Sequence, residues 1–175
     1  MSQTEAQCLT FLQSRQSLVL STQSESGELE SSVVPFVSLE SGVFAILVSE
    51  LAQHTQNLLT LVDSKKASES SNPKSAGLVA GLLLADESAT EQIFARERVT
   101  LQLKPELIGL KNAQRADVLT LMQRQFGDVI EVLAGLPDFH CFTLTVHSGR
   151  YVKGFGAAYE FLTCPCQALK PIKGR

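Results

Sequence analysis

Four short segments of the chain combine residue types that can bind an anion, hold a flat ring system or move a proton. The first runs from Ser49 to Leu58, directly after an apolar stretch. Ser49 is a typical helix-capping residue, and the free N–H groups at a helix N-terminus attract phosphate. His54 and Asn57 are three apart and share a helix face. With Gln53 they form a candidate phosphate site, and the other interpretation is an ordinary capped surface helix.

The second segment carries two arginines. Arg96 and Arg98 are two residues apart on a predicted strand, so their side chains point to the same side. Planar guanidinium groups bind phosphate or the carboxylates of a larger ligand in a two-pronged manner. The alternatives are a solvated face on which the arginines pair with neighbours such as Glu97, and an ion pair at a dimer interface.

The third segment places a carboxylate beside an imidazole. Asp138 and His140 project to one face where a predicted strand begins. Such a pair can orient a ligand or relay a proton, so both residues are candidate catalytic groups. The alternative is that Asp138 caps a turn and His140 is a half-exposed strand residue.

The fourth segment, residues 151–159, alternates aromatic and small residues and includes Lys153 and Phe155. Small residues between aromatic ones allow a flat ring system to lie against the backbone. A tight barrel corner would use the same glycines equally well.

Composition limits the classes of protein to which the chain can belong. The 44% hydrophobic and 19% charged content is typical of one globular domain. A net charge of −3 without a run of Lys or Arg predicts no nucleic-acid partner. The polar N-terminus and the short apolar run at 76–85 predict neither a signal peptide nor a membrane span, and therefore a cytoplasmic location. In that compartment Cys8, Cys141, Cys164 and Cys166 are expected to be reduced thiols.

Periodicity predicts an α+β protein with antiparallel strands, helices at the connections and no βαβ alternation. A capping box at Ser2 and Glu5 opens the first helix, and a second one is predicted at Ser88 and Glu91. Residues 64–75 are predicted to be a flexible loop. The remaining predicted elements are strands at 18–20, 33–37, 43–48, 77–84 and 98–103, the last stopped by Pro105, a helix from Ala113 to Phe126, and a final hairpin of 138–146 and 150–155 around His147, Ser148 and Gly149.

In their order and spacing, four blocks resemble the HugZ/HutZ haem-utilisation family, a group within the pyridoxamine 5′-phosphate oxidase-like FMN-binding split barrels. The blocks are residues 54–58, 94–100, 138–139 and 152–159. The resemblance spans roughly residues 5–160. It implies a six-stranded antiparallel split barrel with accessory helices over residues 1–160, followed by a tail at 161–175. It also implies a homodimer with two equivalent sites at the interface.

The resemblance further implies a cofactor, FMN or haem, and a function in binding or oxidatively degrading haem. Asp138 would support the haem site. The cofactor-binding residues would be Ser49, Gln53, His54, Asn57, Arg96, Arg98, Lys153 and Phe155. The alternatives are an FMN-dependent oxidoreductase on the same barrel and a non-enzymatic module that binds FMN or haem.

The family's iron ligand is a histidine in the C-terminal tail, and residues 164–175 of this chain contain none. Three outcomes are open. A thiolate from Cys164 can act as the axial ligand, since thiolate is an established ligand type. His140 or His54 can replace the missing histidine, or the barrel has lost haem.

Overall fold

One curled antiparallel sheet organises the chain, with helices at its connections. The computed structural model describes residues 1–40, 42–67 and 77–172. All strand pairs within it are antiparallel, as predicted. The helices are α1 (Gln3–Gln13), α2 (Gln53–Ala67), α3 (Ala113–Phe126) and α4 (Val129–Ala134), and the strands are β1 (Ser17–Gln23), β2 (Leu29–Pro35), β3 (Val37–Glu40), β4 (Val43–Ser49), β5 (Val79–Leu84), β6 (Arg98–Ile108), β7 (Phe139–Gly154), β8 (Ala157–Leu162) and β9 (Lys170–Pro171).

The sheet closes on itself as a barrel. Its strands follow the order β2-β1-β5-β6-β7-β4-β3, and β8 and β9 extend it from β7. The two ends of this order, β2 and β3, are consecutive in the chain and are separated only by Phe36. The sheet must therefore bend until its ends meet. The described residues contain nine strands rather than the predicted six.

The longest strand, β7, replaces the predicted hairpin at 147–149. It runs unbroken for 16 residues. Gly149 lies inside the strand. A Cβ atom at this position would lie 2.7 Å from the Thr100 carbonyl oxygen and would also clash with the ring of Phe161. The glycine that suggested a turn thus allows close packing of neighbouring strands. His147 is instead the extra residue of a bulge opposite Gln102 and Leu103.

Pro105 does not stop β6, which continues to Ile108. The pairing of β6 with β5 ends at Leu103, opposite Val79, while its pairing with β7 continues to Ile108. Beyond Leu103 one edge of β6 is therefore open among the described residues. A residue without an N–H group is tolerated on such an edge.

The helices confirm some predicted boundaries and correct others. The Ser2–Glu5 capping box is present, and α3 has the predicted bounds. The second capping box does not form, and two 3-10 turns lie at Glu87–Ala89 and Ile93–Ala95 instead. Of the predicted loop at 64–75, residues 64–67 belong to α2, and the rest lies outside the described residues.

Two apolar clusters hold the layers together. The larger fills the barrel, where the predicted alternation of β6 is confirmed: Val99, Leu101 and Leu103 are fully buried. The smaller lies where α3 and α4 cover the sheet, and Met122 and Cys141 are among its buried members. Burying a large aliphatic side chain stabilises a fold by about 1.5–3 kcal/mol. These clusters therefore hold the strands in place, and the strands in turn position the polar groups at their ends.

Two cysteines depart from the expected reduced state. Cys8 of α1 and Cys166 form a disulfide, with their Cα atoms 5.3 Å apart. Cys141 and Cys164 are free. The expectation rested on the predicted compartment, and sequence spacing could not show that α1 lies against the C-terminal segment. No helix in the described ranges is long and apolar enough to span a bilayer.

Candidate functional site

The end of β4 and the start of β7 bring together four polar residues, which we call the β4–β7 cluster: Ser49, Glu50, Asp138 and His140. The register sets Ser49 opposite Phe139 and so brings Asp138 close. The Ser49 hydroxyl donates to Asp138 Oδ2 at 2.6 Å and accepts from the Leu51 N–H at 3.1 Å. Ser49 is therefore not the cap of α2, which begins four residues later.

Within this cluster, Glu50 orients the imidazole of His140. Its Oε1 atom forms a short hydrogen bond with Nε2 of His140. The Glu50 backbone is itself fixed, since its N–H donates to the Asp138 carbonyl at 2.8 Å and its carbonyl accepts from Gln56 Nε2 at 2.6 Å. The His140 side chain is 24% exposed. Nδ1 has no hydrogen-bond partner among the described residues. An imidazole held in this way can bind a metal or exchange a proton through its other nitrogen.

Sequence reasoning predicted Asp138 and His140 as a pair but did not find Glu50. No hydrogen bond joins these two residues among the described contacts. Asp138 bonds to Ser49, and His140 bonds to Glu50. The only signal for Glu50 was its position next to Ser49 at the end of a strand.

The start of α2 is more internal than predicted. Asn57 is buried, donates to the Thr22 hydroxyl of β1 at 2.9 Å and accepts from the exposed Gln53 at 3.1 Å. His54 is also buried, and neither ring nitrogen has a hydrogen-bond partner among the described residues. Burial lowers the pKa of His54, and the charge of Glu30 opposes that shift in part. Of the predicted phosphate ligands on this helix, only Gln53 is exposed.

Arg96 and Arg98 are both engaged within the chain. Arg96 precedes β6, and its guanidinium donates to the Ala85 carbonyl at 2.6 Å and to Glu87 at 2.8 Å. Arg98 donates to the Arg96 carbonyl at 2.9 Å. Neither arginine pairs with Glu97 among the described contacts, and Glu97 instead accepts from the Tyr151 hydroxyl at 2.5 Å.

Tyr151 is buried and stays protonated. Its pKa is raised far above the ordinary value, mainly by burial and to a smaller extent by its bond to Glu97. Lys153 and Phe155 lie just beyond, where β7 turns into β8, and Phe155 is 70% exposed. These residues and the arginines form a second polar and aromatic region.

The two regions lie at opposite ends of β7. His140 pairs with Val48 near the start of β7, and Val152 pairs with Arg98 near its end. The two positions are twelve residues apart, a contour length of about 40 Å along the strand.

The remaining predicted site residue, Cys164, is a half-buried free thiol in the segment after β8. None of its described contacts is with the β4–β7 cluster or with Arg96 and Arg98. Among the described residues, no group of three or more histidine, cysteine or acidic side chains could hold a metal ion.

A cavity of about 690 Å³ lies against β6, β7 and β8 and under the chain that follows β8; we call it the tail cavity. Its described lining contains none of the residues predicted from the sequence as site residues. The lining residues are Thr100, Leu101, Gln102, Ser148, Gly149, Arg150, Glu160, Phe161, Leu162, Ala168 and Lys170. No motif pointed to this cavity, because it depends on the position of the last described residues.

Comparison with known proteins places the chain in a family. No model of a known protein family matches it. It is 32% identical over 156 residues to the heme oxygenase HutZ of Vibrio cholerae serotype O1, an alignment that covers 89% of this chain and 80% of the relative. The chain belongs to the HutZ family of haem-utilisation proteins.

Several solved structures share its fold. The crystal structure of HutZ from Vibrio cholerae, described as a heme storage protein, matches with a TM-score of 0.68 and 28% identity, covering 83% of this chain and 91% of that one. ChuZ of Campylobacter jejuni matches with a TM-score of 0.76 and 24% identity, covering 100% and 67%. A protein of the pyridoxine phosphate oxidase family from Clostridium acetobutylicum matches with a TM-score of 0.59 and 12% identity, covering 90% and 93%. The predicted α+β split-barrel class is confirmed.

Proposed function

We propose that this chain binds haem and that His140 provides the iron ligand in place of the tail histidine. Family membership supports the first part, since HutZ is named a heme oxygenase. The observation that carries the second part is the bond between His140 Nε2 and Glu50, which leaves Nδ1 without a partner among the described residues. Histidines that bind metals commonly donate their other N–H to a carboxylate, which fixes the ring and raises its basicity.

The remaining residues fit the other parts of a haem molecule. Ser49 and Asp138 provide polar groups beside the imidazole. Lys153 supplies a cation that pairs with a propionate, and exposed Phe155 offers an apolar surface to a porphyrin. Arg96 and Arg98 also donate within the chain, and they would pair with propionates through the N–H groups that those bonds leave over. Bound haem would supply an iron centre for reaction with dioxygen, and oxidative degradation is the enzymatic form of this proposal.

We propose that a homodimer assembles the complete site, because the two regions lie at opposite ends of β7 in one chain. The outer face of the sheet supports this proposal. Val33 of β2, Val19 of β1 and Leu82 of β5 are directly opposite one another in register, and Val33 is 68% exposed. Exposed Leu29 lies on the same face, beyond the hydrogen-bonded hydroxyls of Ser21 and Ser31, and we call this face the β2–β1–β5 face. A row of apolar side chains across three neighbouring strands is typical of protein interfaces.

Haemin titration tests the proposal. Purified protein is expected to give a sharp Soret band that saturates at about one haem per chain, and Glu50→Gln is expected to weaken haem binding by about 10-fold. His140→Ala is expected to abolish the sharp band. Glu106→Gln, which removes an exposed carboxylate paired with Lys104, is the matched control.

Two results would contradict the proposal in different ways. A broad, non-saturating band would exclude specific haem binding. A sharp band that survives His140→Ala but shifts in Cys164→Ala or His54→Ala would assign the iron to that residue and refute the role of His140. Loss of the Soret band on addition of ascorbate in air would identify an oxygenase, and its persistence a non-enzymatic haem-binding module.

An FMN-dependent oxidoreductase is the second candidate function. The observation that favours it is the start of α2 beside the β4–β7 cluster, where the N–H groups of Gln53 and His54 begin a helix and Gln53 is exposed. Titration of the same protein with FMN, followed by flavin fluorescence, tests this alternative. Tight FMN binding without a saturable haem band would support it, and the Gln53→Ala variant would then bind FMN more weakly.

A further inference from the structure

The tail cavity combines apolar walls with two cations. Leu162 and Ala168 contribute apolar side chains, while Arg150 and Lys170 contribute positive charge and Glu160 a single negative one. The volume of about 690 Å³ lies within the range of small-molecule sites. Such a lining is suited to a flat apolar molecule that carries an acidic group.

One wall of this cavity belongs to the segment after β8, residues 163–172, which we call the tail segment. Ala168 and Lys170 are its lining residues. Two kinds of contact hold it. At its far end, β9 pairs with β8, and the Ile172 N–H donates to the Ala158 carbonyl at 2.8 Å. Nearer β8, the disulfide between Cys166 and Cys8 fastens the segment to α1.

The part of the tail segment nearest the disulfide has an unfavourable backbone. Thr163, Cys166 and Ala168 have φ angles of 54°, 63° and 49°, in the left-handed region that residues with a Cβ rarely adopt. Such conformations persist when surrounding contacts fix them. Glu5 of α1 lies close to this part of the tail segment. Its pKa is lowered mainly by the Ser2 N–H, burial opposes this shift, and the N–H groups of Ala168 and Leu169 lower the pKa to a smaller extent.

The other two cysteines differ in their access to this disulfide. Cys141 is fully buried in the cluster beneath α3, and burial raises its pKa to about 11. It is a protonated, inaccessible thiol. Cys164 is a half-buried free thiol two residues from Cys166. Disulfides of cytoplasmic proteins, the location predicted from the sequence, are usually transient or redox-sensing.

We propose that the Cys8–Cys166 disulfide is a redox-sensitive clamp that holds the tail segment as a wall of the tail cavity, so that binding of an apolar organic anion there depends on thiol redox state. Reduction by a dithiol breaks the bond between the two sulfur atoms. Two electrons and two protons pass from the dithiol to give the thiols of Cys8 and Cys166, and the dithiol becomes a cyclic disulfide. The tail segment then relaxes from its left-handed conformations and loosens around Ala168. This inference does not depend on where haem binds.

Thiol counting establishes the starting state. In denaturant, protein purified without reductant is expected to show two of its four cysteines as free thiols, and all four after dithiothreitol treatment. Four free thiols in both samples would overturn the proposal.

Hydrogen exchange and a probe anion then test the clamp in the folded protein. The probe is 8-anilinonaphthalene-1-sulfonate, an anion with apolar aromatic rings and one sulfonate group. On reduction, the amides of residues 163–169 are expected to exchange more than about tenfold faster, and the affinity for the probe is expected to fall. Cys8→Ser should resemble the reduced protein, while Cys164→Ser, which keeps the disulfide, should resemble the oxidised one.

Arg150→Ala locates the probe. It is expected to weaken probe binding to the oxidised protein, whereas Arg124→Ala on the exposed surface of α3 should leave it unchanged. Equal exchange and equal probe affinity in the oxidised and reduced states would refute the clamp. Loss of the far-ultraviolet circular dichroism signal on reduction would refute it too, because the disulfide would then hold the whole fold. An unchanged affinity in Arg150→Ala would refute the assigned ligand class.

Discussion

His54 places a titratable ring inside the protein without a hydrogen-bond partner among the described residues. Burial disfavours its charged form and so lowers its pKa in the folded state below the ordinary value of 6.5. The unfolded chain therefore binds a proton at a higher pH than the folded chain does. Protonation of His54 consequently favours unfolding.

The free energy of unfolding is therefore expected to fall as pH decreases through 6.5, the unfolded value. The loss should continue down to the folded pKa, with a slope below about 1.4 kcal/mol per pH unit for one proton. Urea unfolding between pH 7.5 and 5.5 measures it, and His54→Gln removes this contribution while keeping a neutral polar side chain. An equal pH dependence in His54→Gln would show that burial of His54 is not the cause of the effect.

The residues of the candidate site were predictable by type but not by partner. The sequence correctly suggested that a strand begins beside Asp138 and His140, although β7 begins at Phe139 and Asp138 lies in the turn before it. Their partners Ser49 and Glu50 lie about 90 residues away in the chain. Only the pairing of β4 with β7 brings them together, and no local pattern specifies that register. Spacing also could not show that His54 and Asn57 point inward, because polar side chains are usually expected at the surface.

Gly149 determines how closely β7 can approach its neighbours. A Cβ atom there would lie 2.7 Å from both the Thr100 carbonyl oxygen and Cε2 of Phe161. Phe161 is buried and cannot move aside freely. Gly149→Ala is therefore expected to destabilise the protein by about 1–3 kcal/mol in urea unfolding. Gly154→Ala, on the same strand but with nothing within 4 Å of its added Cβ, should change stability by less than about 1 kcal/mol. Equal effects of the two substitutions would show that close packing at Gly149 is not the cause.

Elements with a strong local signal were predicted well. The bounds of α3 follow from its apolar period and from Gly127 at its end, and the Ser2–Glu5 capping box opens α1 as predicted. The errors arose where a local signal competes with tertiary pairing. Gly149 suggested a turn and Pro105 a strand end, but both are accommodated because of what the neighbouring strands do.

The β2–β1–β5 face predicts the assembly of the whole molecule. If this face forms the dimer interface, the protein will sediment at about 38 kDa, twice its chain mass of 19.0 kDa. Val33→Glu places a charge in the middle of the face and is expected to give a monomer by analytical ultracentrifugation. Val132→Glu, at a similarly exposed position on α4, should remain a dimer. A dimer that survives Val33→Glu, or a monomeric wild type, would contradict this assignment.

The continuity of β7 also has a consequence for biosynthesis. Val43 of β4 pairs with Thr145, about 100 residues later, and Leu101 of β6 pairs with Gly149, about 50 residues later. While a ribosome is still making the chain, β4 and β6 have no partner on the side that β7 will occupy, and their backbone groups are open to other chains. The barrel can close only after β7 has emerged. Long-range pairing of this kind slows folding and lengthens the period in which a nascent chain can aggregate or bind a chaperone.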